Sequence, residues 1–410
     1  MGETGKKANP ITLMVRSGAR GDMDQIVQLG GMRGQLSDIE KLPLSPPVSR
    51  NFREGVSPLE YYLGSHGARR SMCEKKLKTA SAGDFTRIMV EAAYRMIIKE
   101  DDCGTKEGVH IYPFPIIDDS AFKDMPELHK RMIGRLKVNG DVIDDSEALE
   151  LSKKGVPVCV CSVLTCVSEE KWGSGALCRR CYGWDLSKRA LPEIGLPVGI
   201  LAGESIGERG TQLTMRTFHT GGVGGGGITD DLRRIKKILG NQKIQLAVYR
   251  IDHPGDADLK KHDCVDQWSL LLNASKIGVG GSPPQVTLIE NPPSGIGGMN
   301  LGEILEKYDL DAFRTVLSYE ARCLYKNAVD EKHFEVMARS MMFKNPKGHA
   351  SLVGIRRVPS LQSGFLGAAS FQRSLEVLAS AVLEERNDKL EGYKERLIAG
   401  KRITEDVLND

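Results

Sequence analysis

Two groups of residues in this sequence have types and spacings suited to chemistry. The first is the run Gly207-Glu-Arg-Gly-Thr-Gln-Leu-Thr-Met-Arg-Thr-Phe-His219. On a helix beginning near Thr211, Gln212, Met215, Arg216 and His219 fall at offsets of three and four and so share one face. That face offers an amide, a soft apolar surface, a guanidinium and an imidazole. The set suits a nucleotide, with Met215 against a base, Gln212 towards a sugar, and Arg216 and His219 towards phosphates. Arginine forks onto phosphate oxygens, and histidine supplies a proton or a positive charge near neutral pH. In the run from Gly221 to Gly227 only Val223 is not glycine, so no conformation is fixed and the run reads as the tip of a hinged lid. Taken alone, His219 is more simply a packed or capping histidine, and the glycine run a linker. Neither plain reading explains why a nucleotide-sized polar face adjoins such a tip between two helices.

The second group is cysteine. Of nine cysteines, five lie between positions 159 and 181. Cys178-Arg-Arg-Cys181 is a Cys-x2-Cys knuckle, whose spacing lets two thiolates converge on one zinc ion. A structural zinc needs two more ligands. Cys166, earlier in the same stretch, and the distant Cys103 are chosen here. Cys159 and Cys161 are rivals, because alternate strand positions share a face, and a purely local reading takes Cys161 with equal claim. A closed four-thiolate site has no open position, so its role is structural.

The elements that must position these groups follow from local signals. Residues up to Pro58 are rich in Gly, Pro and Ser and read as loops around short helices. At Ser57-Pro58 a good N-cap precedes a proline tolerated at the first helical position. A helix is expected from Leu59 to about Ala82, resuming from Phe85 to Ile98, with weak points at Gly64, Gly67 and Gly83 where it can bend. From Asp101 to Asp185 short strands are expected, such as Val156 to Val163. A helical region from Leu191 is interrupted at Arg209-Gly210, and helix returns from Asp230 to Leu239. Residues 244–310 are mixed. The tail is mostly helical, with Leu375, Leu378, Ala379 and Val382 at helical spacing.

Bulk composition adds bounds. The 410 residues favour more than one structural unit. No apolar stretch approaches the roughly 20 residues that span a bilayer, and no signal peptide opens the chain, so no membrane partner is expected. An odd cysteine count without secretion signals argues against a disulfide framework. The net charge of +3 is too small to argue for nucleic acid. Local basic runs, Arg69, Arg70, Lys75, Lys76 and Lys78, then Arg233, Arg234, Lys236 and Lys237, read first as solvated helix faces.

Several motifs together resemble the beta-prime subunit of multisubunit RNA polymerases. Arg16-Ser-Gly-Ala-Arg-Gly21 with Gln28-Leu-Gly-Gly-Met-Arg-Gly34 is similar to that family's F-loop region. Asn51-Phe-Arg-Glu-Gly55 precedes a segment, Leu59 to Arg87, that resembles the bridge helix, with Ser65-His-Gly-Ala-Arg69 and Leu77-Lys-Thr-Ala80. Asp101-Asp-Cys-Gly-Thr105 and Cys178-x2-Cys181-Tyr-Gly resemble the second zinc motif, which makes Cys103 the first ligand by analogy. Gly203 to Leu239 resembles the trigger loop. Ala368-Ala-Ser-Phe-Gln372 and Leu390 to Lys401 resemble the switch region and clamp anchor. The matches run in family order from about residue 9 to 402, loosely over 244–310.

The resemblance implies a mixed α+β, multi-module chain. Its modules are an F-loop-like region (1–56), the bridge helix and a following helix (57–100), a zinc-binding module (101–190), the trigger-loop hairpin (191–243), a jaw-like or connecting segment (244–310), and a switch region with a helical clamp anchor (311–410). It implies nucleotidyl transfer, in which an RNA 3′ hydroxyl attacks the alpha phosphate of a nucleoside triphosphate with two Mg2+ ions assisting. Met215 is then expected on the base, and Arg216 and His219 on the beta and gamma phosphates. Lys78, Thr79 and Ala80 are expected beside the templating base, and Arg69, Arg70, Lys75 and Lys76 near nucleic-acid phosphates.

Departures accompany the match. Arg209 stands where the family has a proline, Glu204 where it has glutamine, and Asp84 where it has an aromatic residue. Lys75-Lys76 replace a small uncharged pair, and the gap between the second and third zinc cysteines is longer. The Mg-chelating Asn-Ala-Asp-Phe-Asp-Gly-Asp motif is absent; Asp256-Ala-Asp258 imitates it with only two carboxylates. The expectation is a split subunit like those of giant bacteriophages, with the Mg-binding aspartates on a separate N-terminal beta-prime-like chain. Partners would be that chain, beta-like subunits, a sigma-like specificity factor, DNA template, RNA product and nucleoside triphosphates. The setting would be an infected bacterial host, with virion packaging open. The competing expectation is a zinc-stabilised scaffold or regulatory paralogue that does not catalyse.

Overall fold

The computed structural model describes residues 9–17, 19–21, 23–36, 44–111, 128–154, 158–216, 229–243, 248–252, 285–289, 300–307, 310–325, 328–344, 350–361, 364–390 and 392–401. It divides into two compact units, Met1–Asp84 with Gly210–Leu232, and Phe85–Arg209 with Arg233–Asp410. Helices and two-stranded sheets are mixed among the described residues.

Helix α1 is Pro10–Arg16 and α2 is Met23–Gly30. The first is capped by Asn9, whose side chain accepts from the Ile11 N–H, with proline at the first helical position. Helix α3, Pro58–Ala93, is 36 residues long. Its start is a capping box: Ser57 Oγ accepts from Glu60 N at 3.3 Å, and Glu60 Oε2 accepts from Ser57 N at 2.8 Å. The Ser57 backbone N–H bond holds the Glu60 carboxyl down at about 2. The expected interruption near Gly83 is absent, since one glycine costs a long helix only about 1 kcal/mol. The helix stops at Ala93 rather than at Ile98. Beyond it, β1 (Ile97–Glu100) takes the β-branched Ile97 and Ile98 into a parallel pairing with Ala176–Cys178.

The next module is not mainly strands, as expected, but a mixture. β2 (Val109–Ile111) pairs antiparallel with β3 (Val158–Val160), and α4 (Leu128–Met132) and α5 (Asp145–Lys154) pack beside them. Val109, Ile111, Met132, Ile143, Ala148 and Val160 form the core there. The strand expected over Val156 to Val163 ends at Val160, because Ser162 caps a 3-10 turn, Val163–Thr165, by accepting from Leu164 N. α6 (Ser168–Trp172), β4 (Ala176–Cys178) and α7 (Arg179–Tyr182) follow.

Helix α8, Val198–Arg216, runs straight through Arg209-Gly210, where a break was expected. The reason is chemical: arginine keeps the backbone N–H that a proline there would remove. α9 is Thr229–Leu239. In the connecting segment β5 (Val248–Asp252) and β6 (Gln285–Ile289) pair antiparallel over five positions. α10 (Leu301–Lys307), α11 (Leu310–Tyr325) and α12 (Glu331–Met341) lead to the hairpin of β7 (Met342–Lys344) and β8 (Ala350–Leu352).

The tail holds α13 (Val358–Leu361), α14 (Phe365–Phe371), α15 (Ser374–Leu383) and α16 (Tyr393–Ile398). Leu375, Leu378, Ala379 and Val382, expected at helical spacing, all fall on α15, and Arg373, Glu385 and Leu390, at positive φ, lie between the tail's helices. Leu375 and Val382 stand 83% and 77% exposed, and Ala381 is the buried residue of α15.

α11 and α12 are fastened to the module by a buried charge cluster. Arg135 forks onto Glu335 at 2.8 and 2.9 Å, Arg131 reaches Glu331 at 2.8 Å, and Arg314 bonds both glutamates at 2.9 and 3.1 Å.

Candidate functional site

Four thiols meet at one point. The Sγ atoms of Cys103, Cys166, Cys178 and Cys181 all lie within 4.8 Å of one another, with Cys103 to Cys181 at 3.6 Å and Cys166 to Cys178 at 3.9 Å. A disulfide would need about 2.05 Å. Tetrahedral thiolates about 2.3 Å from zinc sit about 3.8 Å apart, so the spacing and the all-sulfur donor set both fit that ion. Cys166, Cys178 and Cys181 are buried, as a closed structural site requires.

Local structure aims each ligand. Cys178 caps α7, its Sγ accepting from Cys181 N at 3.3 Å. Cys103 follows β1, where Arg179 donates to Asp101 Oδ1 at 2.6 Å and Arg180 to Asp102 Oδ2 at 2.7 Å. Thiol hydrogen bonds from Cys166, Cys178 and Cys181 pull the Cys103 thiol far down, and the bond to Cys103 pushes Cys181 far up. As thiolates, four sulfurs this close would repel one another, a conflict that a dication resolves. The rivals stand apart: Cys161 Sγ bonds the Lys137 carbonyl at 3.5 Å, and burial pushes up the thiols of both Cys159 and Cys161.

The other expected residues that the structure describes lie on helices. On α3, Arg69, Lys76 and Ala80 are exposed, and Lys78 and Thr79 are half-buried, with Thr79 Oγ1 donating to Lys76 O at 3.0 Å. Arg70 and Lys75 are on the same helix, their side chains outside the described set. Gln212, Met215 and Arg216 occupy the last turns of α8, again by backbone alone. His219 and Gly221–Gly227 lie outside the described residues. Glycines of α8 lie close against the end of α3. A Cβ on Gly199 would fall 1.8 Å from Ala93 O, and one on Gly207 2.2 Å from Thr86 Oγ1.

Sequence reasoning missed a basic cleft of about 590 Å3, lined by Phe85, Lys236, Lys237, Leu352, Arg356 and Arg357 among others. Among the described residues, no carboxylate lines it. Lys236 Nζ stands 5.5 Å from the Phe85 ring centroid. Two bonds lock its walls together: Asn241 Nδ2 donates to Leu352 O, and Ile355 N to Leu239 O, both at 2.9 Å. The available signal was the adjacent pair Arg356-Arg357; the run at 233–237 had read as a solvated face.

Residues 55–262, about half of the chain, match the model for RNA polymerase Rpb1, domain 5, and residues 1–60 match RNA polymerase Rpb1, domain 4. The chain belongs to the RNA polymerase Rpb1 family. Its relatives include the DNA-directed RNA polymerase subunit beta′ of Acetivibrio thermocellus, 33% identical over 456 residues, covering 96% of this chain and 38% of that protein. The Bacillus subtilis subunit is 32% identical, covering 96% and 37%. The chain thus spans less than two fifths of the length of the curated relatives it matches, and corresponds to the C-terminal part of a beta′ subunit. In this Rpb1-family chain the domain 5 match takes in α3, the four-cysteine cluster, α8 and α9. The domain 4 match takes in α1, α2 and the start of α3.

Proposed function

We propose that this chain supplies the bridge helix and trigger loop of a DNA-directed RNA polymerase, inactive alone and required for nucleotide addition within the complex. The observation that carries the reading is the common root of α3 and α8. The helix bearing Gln212, Met215 and Arg216 is seated by glycine contacts on the helix bearing Lys78, Thr79 and Ala80. On this reading Met215 rests on the incoming base, Gln212 faces its sugar, and Arg216 and His219 hold the triphosphate as the RNA 3′ hydroxyl attacks the alpha phosphate. Their positive charge offsets charge developing on the phosphates. Among the described residues no carboxylate cluster suits Mg2+, so these residues do not fit that ion. On this reading the aspartates that hold it are on a separate N-terminal beta-prime-like chain, since the family's Asn-Ala-Asp-Phe-Asp-Gly-Asp motif is absent from the sequence, and beta-like subunits and a sigma-like factor complete the complex.

The four cysteines hold a structural Zn2+ that braces the module following α3 in the chain. The cleft of Lys236, Lys237, Arg356 and Arg357 receives the sugar-phosphate backbone of the DNA, which cations grip without reading sequence. Arg69, Arg70, Lys75 and Lys76 serve nucleic acid in the same way. The departures at Asp84, Glu204 and Arg209, with only about one third identity to bacterial relatives, fit a divergent enzyme of the kind giant phages carry into bacterial hosts.

The test is RNA synthesis by the complex purified through this chain, wild type against Arg216→Ala and His219→Ala. Assembly should survive while elongation slows by about 10- to 1000-fold, the scale of losing a transition-state charge contact. Unchanged elongation in both variants would replace this reading with a non-catalytic scaffold.

A further inference from the structure

Three of the four clustered cysteines are held from nearby. Cys178 caps α7 and Cys181 lies on it, and Cys103 is flanked by the Asp101 and Asp102 pairings with Arg179 and Arg180. Cys166 is held from far along the chain. Arg339, on α12, donates from Nη1 to Leu164 O at 3.1 Å, and from Nη2 to Cys166 O at 3.0 Å and Glu169 Oε2 at 2.8 Å. The carbonyls of Leu164 and Cys166 lie at the end of a 3-10 turn, where the turn itself supplies no donor. One turn earlier on α12, Glu335 Oε2 accepts from Ser162 Oγ at 2.7 Å, and Ser162 Oγ accepts from Leu164 N at 3.2 Å. The short segment that presents Cys166 is therefore gripped at both ends by a single helix face. That face is shielded, with the Arg339 side chain only 12% exposed.

We infer that Arg339 is a positioning residue of the metal centre, and that metal retention is coupled to the docking of α11 and α12 on the module. The inference rests on the reading of the cysteine cluster as a zinc site. Arg339 fixes the carbonyl of a ligand residue, and with it the direction of the Cys166 Sγ. Groups of this kind typically contribute 10- to 100-fold to metal affinity. Coupling is reciprocal: whatever α12 docking adds to metal affinity, the metal returns to α12 docking. Lysine cannot replace arginine fully, because a single ammonium does not span two carbonyls and a carboxylate in one plane.

The experiment times release of Zn2+ into a chelating dye from the assembled complex, for wild type, Arg339→Lys, Arg339→Ala and Ser162→Ala. Arg339→Ala should release zinc about 10- to 100-fold faster than wild type, with Arg339→Lys between them. Ser162→Ala should also release faster, and Arg373→Ala, at an exposed site, at the wild-type rate. In the reverse direction, stripping zinc from the wild type should raise amide hydrogen exchange across Glu331–Met341 by a similar factor. Should Arg339→Ala not assemble, Ser162→Ala removes a single hydroxyl and decides the matter. Wild-type release rates in both Arg339→Ala and Ser162→Ala, or unchanged exchange after stripping, would overturn the coupling. A wild-type complex that contains no zinc would instead overturn the metal reading beneath it.

Discussion

Glu331 is the residue whose loss tests the buried charge cluster most directly. Its carboxylate takes Arg131 Nε at 2.8 Å and Arg314 Nη2 at 3.1 Å, is contacted by Arg322, and accepts from Ser318 Oγ at 3.3 Å. Burial pushes this carboxyl up, but the guanidinium charges of Arg131, Arg322 and Arg314 outweigh it and hold it well below the usual carboxylate range. Glu331→Gln keeps the shape and removes the charge, leaving Arg131, Arg314 and Arg322 to share the region with Glu335. Removing one partner of a buried pair typically costs about 3–5 kcal/mol, because the remaining charges stay desolvated. At about 1.36 kcal/mol per tenfold, the local opening equilibrium should rise between roughly a hundred- and a few-thousand-fold. Native-state hydrogen exchange over Leu310–Tyr325 and Glu331–Met341 reads that number. Arg373→Ala is the control: its pair with Glu376 is exposed, so it should change exchange by less than about threefold. A Glu331→Gln effect below tenfold would refute the claim that these arginines depend on a desolvated carboxylate.

Two further outcomes are expected. If the basic cleft grips backbone phosphates, Lys237→Ala and Arg357→Ala should each reduce the slope of log affinity against log salt for duplex DNA by about 0.9; unchanged slopes in both would remove the cleft from the DNA path. His333 is buried, and burial above all, with Lys332 and Arg135 adding and Asp330 opposing, lowers its pKa to about 4. The unfolded chain therefore binds this proton first, so stability is full above pH 6.5 and falls as pH drops towards 4, by up to about 3 kcal/mol; a His333→Gln variant that keeps the same loss over that window would contradict this.

What the sequence made legible was local. Ser57, Pro58 and Glu60 announce the start of α3 because a capping box needs only four consecutive residues. Cys178 and Cys181 announce a knuckle because only two residues separate the ligands. Cys103 needed the family resemblance, since no spacing rule joins it to Cys181. The end of α3 was misjudged because Ile97 and Ile98 suit a helix or a strand alone, and pairing with Ala176 and Leu177 decides between them. The grip of Arg339 on Cys166 was beyond reach for the same reason: an arginine on an amphipathic helix carries no mark of its partner. In the tail, helical spacing of Leu375, Leu378 and Val382 did not mean burial, because spacing defines a face and not what covers it.

Arg209 decides the continuity of α8. A proline there would remove an N–H from the ladder and collide with the carbonyl one turn back, at a cost of about 3 kcal/mol in a helix interior. With arginine, α8 continues to Arg216, and Gly210 remains as a weakness of only about 1 kcal/mol. The root is stiff where Gly199, Gly203 and Gly207 meet Ala93, Val90 and Thr86, since any side chain there would force the helices apart. Gln212, Met215 and Arg216 therefore ride on a helix continuous with that root. The family's proline would break that ladder at Arg209; arginine leaves it intact, so α8 is unbroken helix across Arg209-Gly210.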